Sequence, residues 1–99
     1  MRTIYSQDQI SKTKHIVSVI GDANNILILY ELINFGEKSF NELKRMTDIN
    51  PVTLSKKLGE LKLQKLVNSR QVGNENHYFV TKQSEKYHPL IKDIEKLII

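Results

Sequence analysis

Between residues 39 and 67, apolar residues recur among polar ones with the three- and four-residue spacing of two short helices. Ser39 and Glu42 have the spacing of a capping box, which predicts that a helix begins at Ser39. Leu43 and Met46, three residues apart, indicate the apolar side of this helix. A tight break should follow it at residues 47–50 and separate it from the second helix.

The second helix has the stronger pattern. Asn50 is a favoured N-cap residue, and Pro51 would occupy the first helical position, where a missing N–H costs nothing. Leu54, Leu58 and Leu61 form one stripe that should be buried. The opposite face carries Val52, Lys56 and Gly59, with Thr53 on its flank. Such a small-residue, cationic face suits a helix that enters a major groove. A solvated helix face with no binding role is the alternative.

Two more helices are predicted before this pair. A polar arm, residues 1–9, leads into a helix from about Gln9 to Ile20, which Gly21 ends. Asp22 can cap the next helix, Ala23 to Asn34. This second helix is apolar nearly all round, which is typical of a central, buried helix. Residues 38 and 39 could add a very short strand.

The segment after the central pair changes to the period of a β-strand. Residues 66–72 and 77–81 are rich in β-formers and flank a four-residue turn, 73–76, which predicts a hairpin. Of the two aromatic residues in the second strand, we expect Tyr78 to be the partly exposed one. Residues 81–99 are helical, and Pro89 should kink this helix or begin a fresh one.

The order of elements is typical of a winged helix-turn-helix. We therefore predict one mostly α domain (α+β) with a small hairpin, spanning residues 1–99. Its parts are the arm 1–9, the helix-turn-helix 39–64, the wing 66–81 and the C-terminal helix 82–99.

From about Ser11 to Ile98 the chain resembles the HxlR-type regulators, a DNA-binding branch close to the MarR and ArsR winged-helix regulators. The matching pieces are residues 20–21, the helix 26–32, Gly36 with residues 39–43, residues 49–54, Leu58, Leu61, residues 66–70, Tyr78 to Thr81, and Pro89. Departures are Ser11 where the family usually has Cys, Asp22 to Asn24 in place of Gly-Lys-Trp, and Lys65 in place of a helix-ending Gly. The wing is also shorter than usual.

The outer helix face and the resemblance together predict a surface for double-stranded DNA. Its residues are Asn50, Pro51, Val52, Thr53, Ser55, Lys56 and Lys57, with Lys44 on the preceding helix and Arg70, Asn74 and Asn76 in the wing. The resemblance implies a phosphate contact for Arg70 at the base of the wing. A plain surface charge is the alternative for this arginine.

The terminal helices offer more apolar surface than a winged-helix core needs. We predict a two-fold homodimer in which these helices pack together. The interface residues would be Ile10, Ile16, Val17, Tyr87, Leu90, Ile91, Ile94, Leu97 and Ile98. The alternative is that the last helix folds back on its own domain.

Composition narrows the function. The 99 residues carry a formal net charge of +4 and contain no Cys, so thiol catalysis and disulfides are excluded. Three scattered histidines have no metal-ligand spacing, and no phosphate loop or nucleophile elbow is present. We expect no enzyme, metal or cofactor, no membrane span and a cytoplasmic location; whether an effector exists stays open. The rivals to a transcription factor are a winged-helix protein-interaction module and a regulator that binds DNA only with a partner.

Overall fold

The structure, a computed structural model, describes residues 4–98, although not the side chain of Ile98. Five α-helices and three strands occur in that range: α1 (Gln7–Ile20), α2 (Ala23–Phe35), β1 (Lys38–Ser39), α3 (Phe40–Thr47), α4 (Pro51–Leu63), β2 (Val67–Val72), β3 (Glu75–Val80) and α5 (His88–Ile98), with a 3₁₀ segment (Lys82–Tyr87) before α5. The strands form one antiparallel sheet in the order β1-β3-β2. This arrangement confirms the predicted winged helix-turn-helix fold.

The first helix begins two residues earlier than predicted. The Ser6 hydroxyl accepts the Gln9 backbone N–H at 3.1 Å, and the Gln9 side chain accepts the Ser6 N–H at 2.9 Å. This capping box fixes the helix start at Gln7, so residues 7–9 of the predicted arm are helical. Residues 1–3 of that arm lie outside the described residues.

The core is built around α2 and the leucines of α4. Ile28, Leu29 and Leu32 on α2 are buried, and so are all three stripe residues, Leu54, Leu58 and Leu61. The prediction for α3 is only half right, because Leu43 is buried while Met46 is 52% exposed. Phe40, one turn before Leu43, packs against the core instead.

The hairpin is tighter than predicted. Residues pair from Val67 with Val80 to Val72 with Glu75, which leaves only Gly73 and Asn74 in the turn. Gly73 has φ +63°, a backbone conformation that glycine adopts without strain. The predicted four-residue turn is therefore wrong, and Asn76 lies on β3.

Tyr78 and Phe79 on β3 are both half-buried, but Tyr78 is the one that packs against the core, whereas we expected it to be the partly exposed one of the two. Tyr78 packs against the core cluster, and burial raises the pKa of its hydroxyl. The predicted short strand is confirmed as β1, because Lys38 pairs with Tyr78 and Ser39 with His77.

The end of α4 is closed by a Schellman motif. The Leu66 N–H donates to the Leu61 carbonyl at 3.0 Å, and the Lys65 N–H donates to the Lys62 carbonyl at 2.9 Å. Lys65 has φ +62°, so it adopts the left-handed conformation at the position where a helix-ending glycine is usual. The motif directs the chain from α4 straight into the wing.

The C-terminal segment is not one continuous helix. The 3₁₀ segment runs to Tyr87, and Pro89 then lies in the first turn of α5, where a proline can begin a fresh helix. Ile91 is 1% exposed in the core of its own chain, so α5 folds back on the domain through this residue. This placement differs from the prediction that Ile91 lies in an interface.

Candidate nucleic-acid interface

The helix-turn-helix is formed by α3 and α4. The turn between them starts at Asp48, which has φ +55° and donates its N–H to the Lys44 carbonyl. It ends at Asn50, whose side-chain oxygen accepts the Val52 N–H at 2.9 Å. Both ends of the turn are thus closed by local hydrogen bonds, which hold α4 at a defined start.

The outer face of α4 is open to solvent, as the leucine stripe requires. Val52 is 79% exposed, Ser55 and Lys56 are exposed, and Thr53 is half-buried on the flank. A Cβ added at Gly59 would meet no atom within 4 Å, so the glycine leaves open space in the middle of this face. Small side chains around one lysine therefore form a surface that a groove floor can approach.

Exposed cations extend this face. Lys44, Arg45 and Lys56 are exposed, and none of them forms an ion pair within residues 4–98. Arg45 was not among the residues predicted to contact DNA, although its place beside Lys44 in the last turn of α3 could have indicated it. Lys62 donates to the Ser69 hydroxyl at 2.8 Å and thereby joins α4 to the wing.

Lys57 faces inward rather than toward the open face of α4. Its Nζ lies 2.7 Å from the Asp22 carboxylate and 3.5 Å from Glu60, and its side chain is 16% exposed. The hydrogen bond with Lys57 lowers the pKa of Asp22, and the same bond raises the pKa of Lys57. The structure thus separates Lys57 from the other residues predicted to contact DNA.

Arg70 at the base of the wing is also held by a carboxylate. Its Nε donates to both oxygens of Glu37 at 3.2 Å, and its Nη2 donates to one of them at 2.9 Å. The bonded Arg70 lowers the pKa of Glu37, and the carboxylate raises the pKa of Arg70. No local sequence signal indicates this pair, because its members are 33 positions apart.

The remaining predicted residues of the wing lie at its tip. Asn74 and Asn76 are exposed and line a shallow cleft of about 260 Å³ together with Phe40 and Asn41 at the start of α3. Pro51, the other predicted contact, is exposed at the first position of α4.

An open apolar groove of about 260 Å³ runs between α1 and the C-terminal segment. It is lined by Ile16, Val17, Ile20, Gly21, Tyr87, Leu90 and Ile94. Val17 is 61% and Leu90 49% exposed, so both present apolar surface to the groove. Five of the nine predicted interface residues therefore come together in this groove. Ile10 lies elsewhere, on the first half of α1, and Leu97 is 87% exposed on α5.

Residues 4–98 contain no group of three or more His, Asp or Glu side chains arranged to hold a metal ion. No single helix within residues 4–98 is long and apolar enough to cross a membrane. Only α1 and α2 taken together have that length and apolar character, and a 76° bend separates them.

A model of the HxlR-like helix-turn-helix family matches residues 19–99. The chain belongs to the HxlR-like helix-turn-helix family. It is accordingly a DNA-binding winged-helix transcriptional regulator, and the resemblance seen in the sequence is confirmed.

Solved structures share the fold of this HxlR-like chain. HlyU from Vibrio cholerae N16961 is 20% identical and has a TM-score of 0.74, over 93% of this chain and 97% of that chain. The transcriptional repressor BigR from Xylella fastidiosa is 20% identical with a TM-score of 0.78, over 94% and 92%. NolR from Sinorhizobium fredii is 20% identical with a TM-score of 0.76, over 94% and 96%. A sequence comparison with curated proteins gives no significant match.

Proposed function

We propose that this HxlR-like regulator binds a near-palindromic operator as a homodimer, with α4 of each copy in a major groove. The observation that carries the proposal is the outer face of α4, where Val52, Lys56 and Gly59 lie open to solvent while the three leucines are buried. An α-helix fits the major groove, and reading bases requires that its outer side chains be free.

The side chains on this face have suitable chemistry for base edges. Lys56 can donate to the acceptors of guanine, Thr53 can donate or accept, and Val52 can contact a thymine methyl group. Asn50 and Pro51 would hold the N-terminus of α4 near the DNA backbone, where the positive end of the helix dipole favours a phosphate. Lys44 and Arg45 on α3 supply cations beside this end, where the DNA backbone would pass.

The apolar groove between α1 and α5 supports the second half of the proposal. A second copy of the chain would cover Val17 and Leu90, which one copy leaves partly exposed. Burying a large aliphatic side chain is worth roughly 1.5–3 kcal/mol before ordering costs. Two-fold symmetry would then present two copies of α4 to successive major grooves, about 34 Å apart.

Selection of bound sequences from a random duplex library tests both halves at once. The expected result is an enriched motif with two inverted half-sites whose centres are about one helical turn apart. A single half-site without symmetry would contradict the dimer, and recovery of no preferred sequence would contradict specific binding.

A protein-interaction module is the second candidate function. Leu63, 78% exposed on the same face as Val52, favours it, because exposed apolar residues are typical of protein interfaces. Leu63→Ser separates the two functions. It should leave DNA affinity unchanged if α4 reads DNA through its first two turns, and it should abolish binding of a protein partner in a pull-down from a lysate if the face binds protein.

A further inference from the structure

Glu37, in the loop before β1, lies at the base of the wing beside the one arginine predicted to contact phosphate. The sheet brings these residues together, because Arg70 on β2 pairs with His77 on β3, and His77 pairs with Ser39 on β1. The Glu37 carboxylate contacts the side chains of Arg70 and His77. Three hydrogen bonds to Arg70 measure 2.9–3.2 Å, and Nδ1 of His77 lies 3.5 Å away.

A carboxylate and a phosphate require the same donors from arginine. Both bind the guanidinium through two parallel N–H···O bonds, and Glu37 already occupies the Nε and Nη2 edge of Arg70. A DNA phosphate must therefore displace Glu37 or use the remaining donors close to a fixed negative charge. Arg70 is still 64% exposed and Glu37 28% exposed, so solvent and DNA can reach the pair.

A second carboxylate lies near the pair of Arg70 and Glu37. Glu75 lies 3.7 Å from Nε2 of His77. Two carboxylates thus lie beside the Arg70–His77 pair and weaken its attraction for phosphate, whereas Lys56 on the outer face of α4 has no acidic partner within residues 4–98.

We infer that Glu37 competes with DNA phosphate for Arg70 and thereby limits the affinity of this regulator for DNA. The inference rests on the proposed function, because it requires that the wing lie against the DNA backbone. In the free protein the pair holds Arg70 on the sheet. When Glu37 is uncharged, Arg70 becomes a full phosphate contact.

The test is a double-mutant cycle with Glu37→Gln and Arg70→Gln, measured by fluorescence anisotropy on one duplex at several salt concentrations. Glu37→Gln keeps the shape of the side chain and removes its charge. It should tighten binding about 3- to 10-fold and steepen the slope of log K against log salt by about 0.9 per bound wing, as one added phosphate contact requires. Arg70→Gln should cost less than about 2-fold alone and about 3- to 10-fold in the Glu37→Gln background.

Glu75→Gln is the matched control. It removes the same unit of charge from the same cluster of side chains, but Glu75 has no bond to Arg70, so the effect of Arg70→Gln should remain small in this background. Thermal unfolding of each variant shows whether the fold is intact. Weaker or unchanged binding by Glu37→Gln overturns the inference. So does an equal cost of Arg70→Gln in the Glu37→Gln and Glu75→Gln backgrounds.

Lys56→Gln distinguishes failure of this inference from failure of the proposed function. If Lys56→Gln weakens binding while Glu37→Gln has no effect, α4 binds DNA and the competition by Glu37 is refuted. If none of the folded variants binds duplex DNA even at low salt, the proposed function fails and the inference with it.

Discussion

At the scale of single residues, Asp22 connects two parts of the molecule. One oxygen of its carboxylate accepts the N–H groups of Asn24 and Asn25 at 2.9 and 3.3 Å, which caps α2. The other oxygen binds Lys57 on α4 at 2.7 Å. One carboxylate thus fixes the start of the central helix and the inward side of α4. The cap could be predicted from the sequence, whereas the bond to Lys57 could not.

Asp22→Asn and Asp22→Ala should separate these two roles. Asparagine caps a helix about as well as aspartate, so Asp22→Asn removes mainly the ion pair. Asp22→Ala also removes the cap and should lower the free energy of unfolding by about 0.5–2 kcal/mol more than Asp22→Asn does. Chemical denaturation at neutral pH measures both. Equal losses in the two variants would contradict the capping role.

The ion pair also predicts a pH dependence. Lys57 depresses the pKa of Asp22 in the folded state below its ordinary value of 3.8. The stabilisation is therefore present in full above the unfolded-state pKa and is lost as pH falls through the folded-state pKa. The stability difference between the native chain and Asp22→Asn should shrink as pH is lowered from about 5 to below 3. A difference that stays constant over this range would exclude the pair as its source.

At the scale of elements, α4 is divided cleanly into a buried leucine face and an open face. The sequence predicted this division because it depends only on the helical period and on the caps at either end.

Lys56 lies on the open face and has no ionic partner within residues 4–98. Lys56→Gln should cost about 1–3 kcal/mol of DNA affinity and relax the preference at one base pair. A competition assay with single-base operator variants measures both effects; uniform weakening would identify a phosphate contact instead.

Gly59 allows stability and binding to be changed in opposite directions. Alanine fits in the free protein, because nothing lies within 4 Å of the added Cβ, and it should stabilise α4 by about 1 kcal/mol. The same methyl group points to the face proposed to contact DNA, so Gly59→Ala should weaken DNA binding several-fold. Thermal unfolding and anisotropy give the two values. Unchanged affinity would show that the DNA does not approach this part of the helix.

At the scale of the whole molecule, the apolar groove between α1 and α5 predicts the assembly. Leu90→Glu should split the proposed dimer without unfolding the chain, because Leu90 is 49% exposed in one copy. Leu27→Glu is the matched control, since Leu27 is 44% exposed on α2 but does not line the groove. Sedimentation equilibrium on both variants is the measurement. A monomeric native chain, or a dimer that survives Leu90→Glu, would contradict this interface.

Phosphate contacts should dominate the affinity of the assembled dimer. If two copies together neutralise about 6–8 phosphates, log K should fall with log salt at a slope of roughly −5 to −7. Lys57 and Arg70 are held in ion pairs, so these contacts would come mainly from the exposed cations of α3 and α4. A slope near zero would contradict binding through the backbone.

Features that depend on neighbouring residues could be predicted from the amino-acid sequence alone. The capping box at Ser39, the cap at Asn50 and the leucine stripe of α4 involve positions at most a few residues apart, and all are present in the structure. The order of these elements then indicated the fold and the open face of α4. Even the errors at this level, such as the start of α1, were errors of two residues in a local signal.

Which of the cations have an acidic partner depends instead on the tertiary structure. Lys57 and Arg70 have partners 35 and 33 positions away, and Ile91 is buried against its own domain rather than presented to a second copy. The helical and strand periods show which side of an element a residue occupies, but not which side chains other elements bring to it. Those partners depend on how the helices and the sheet pack, so the charge available for DNA could be read only from the folded chain.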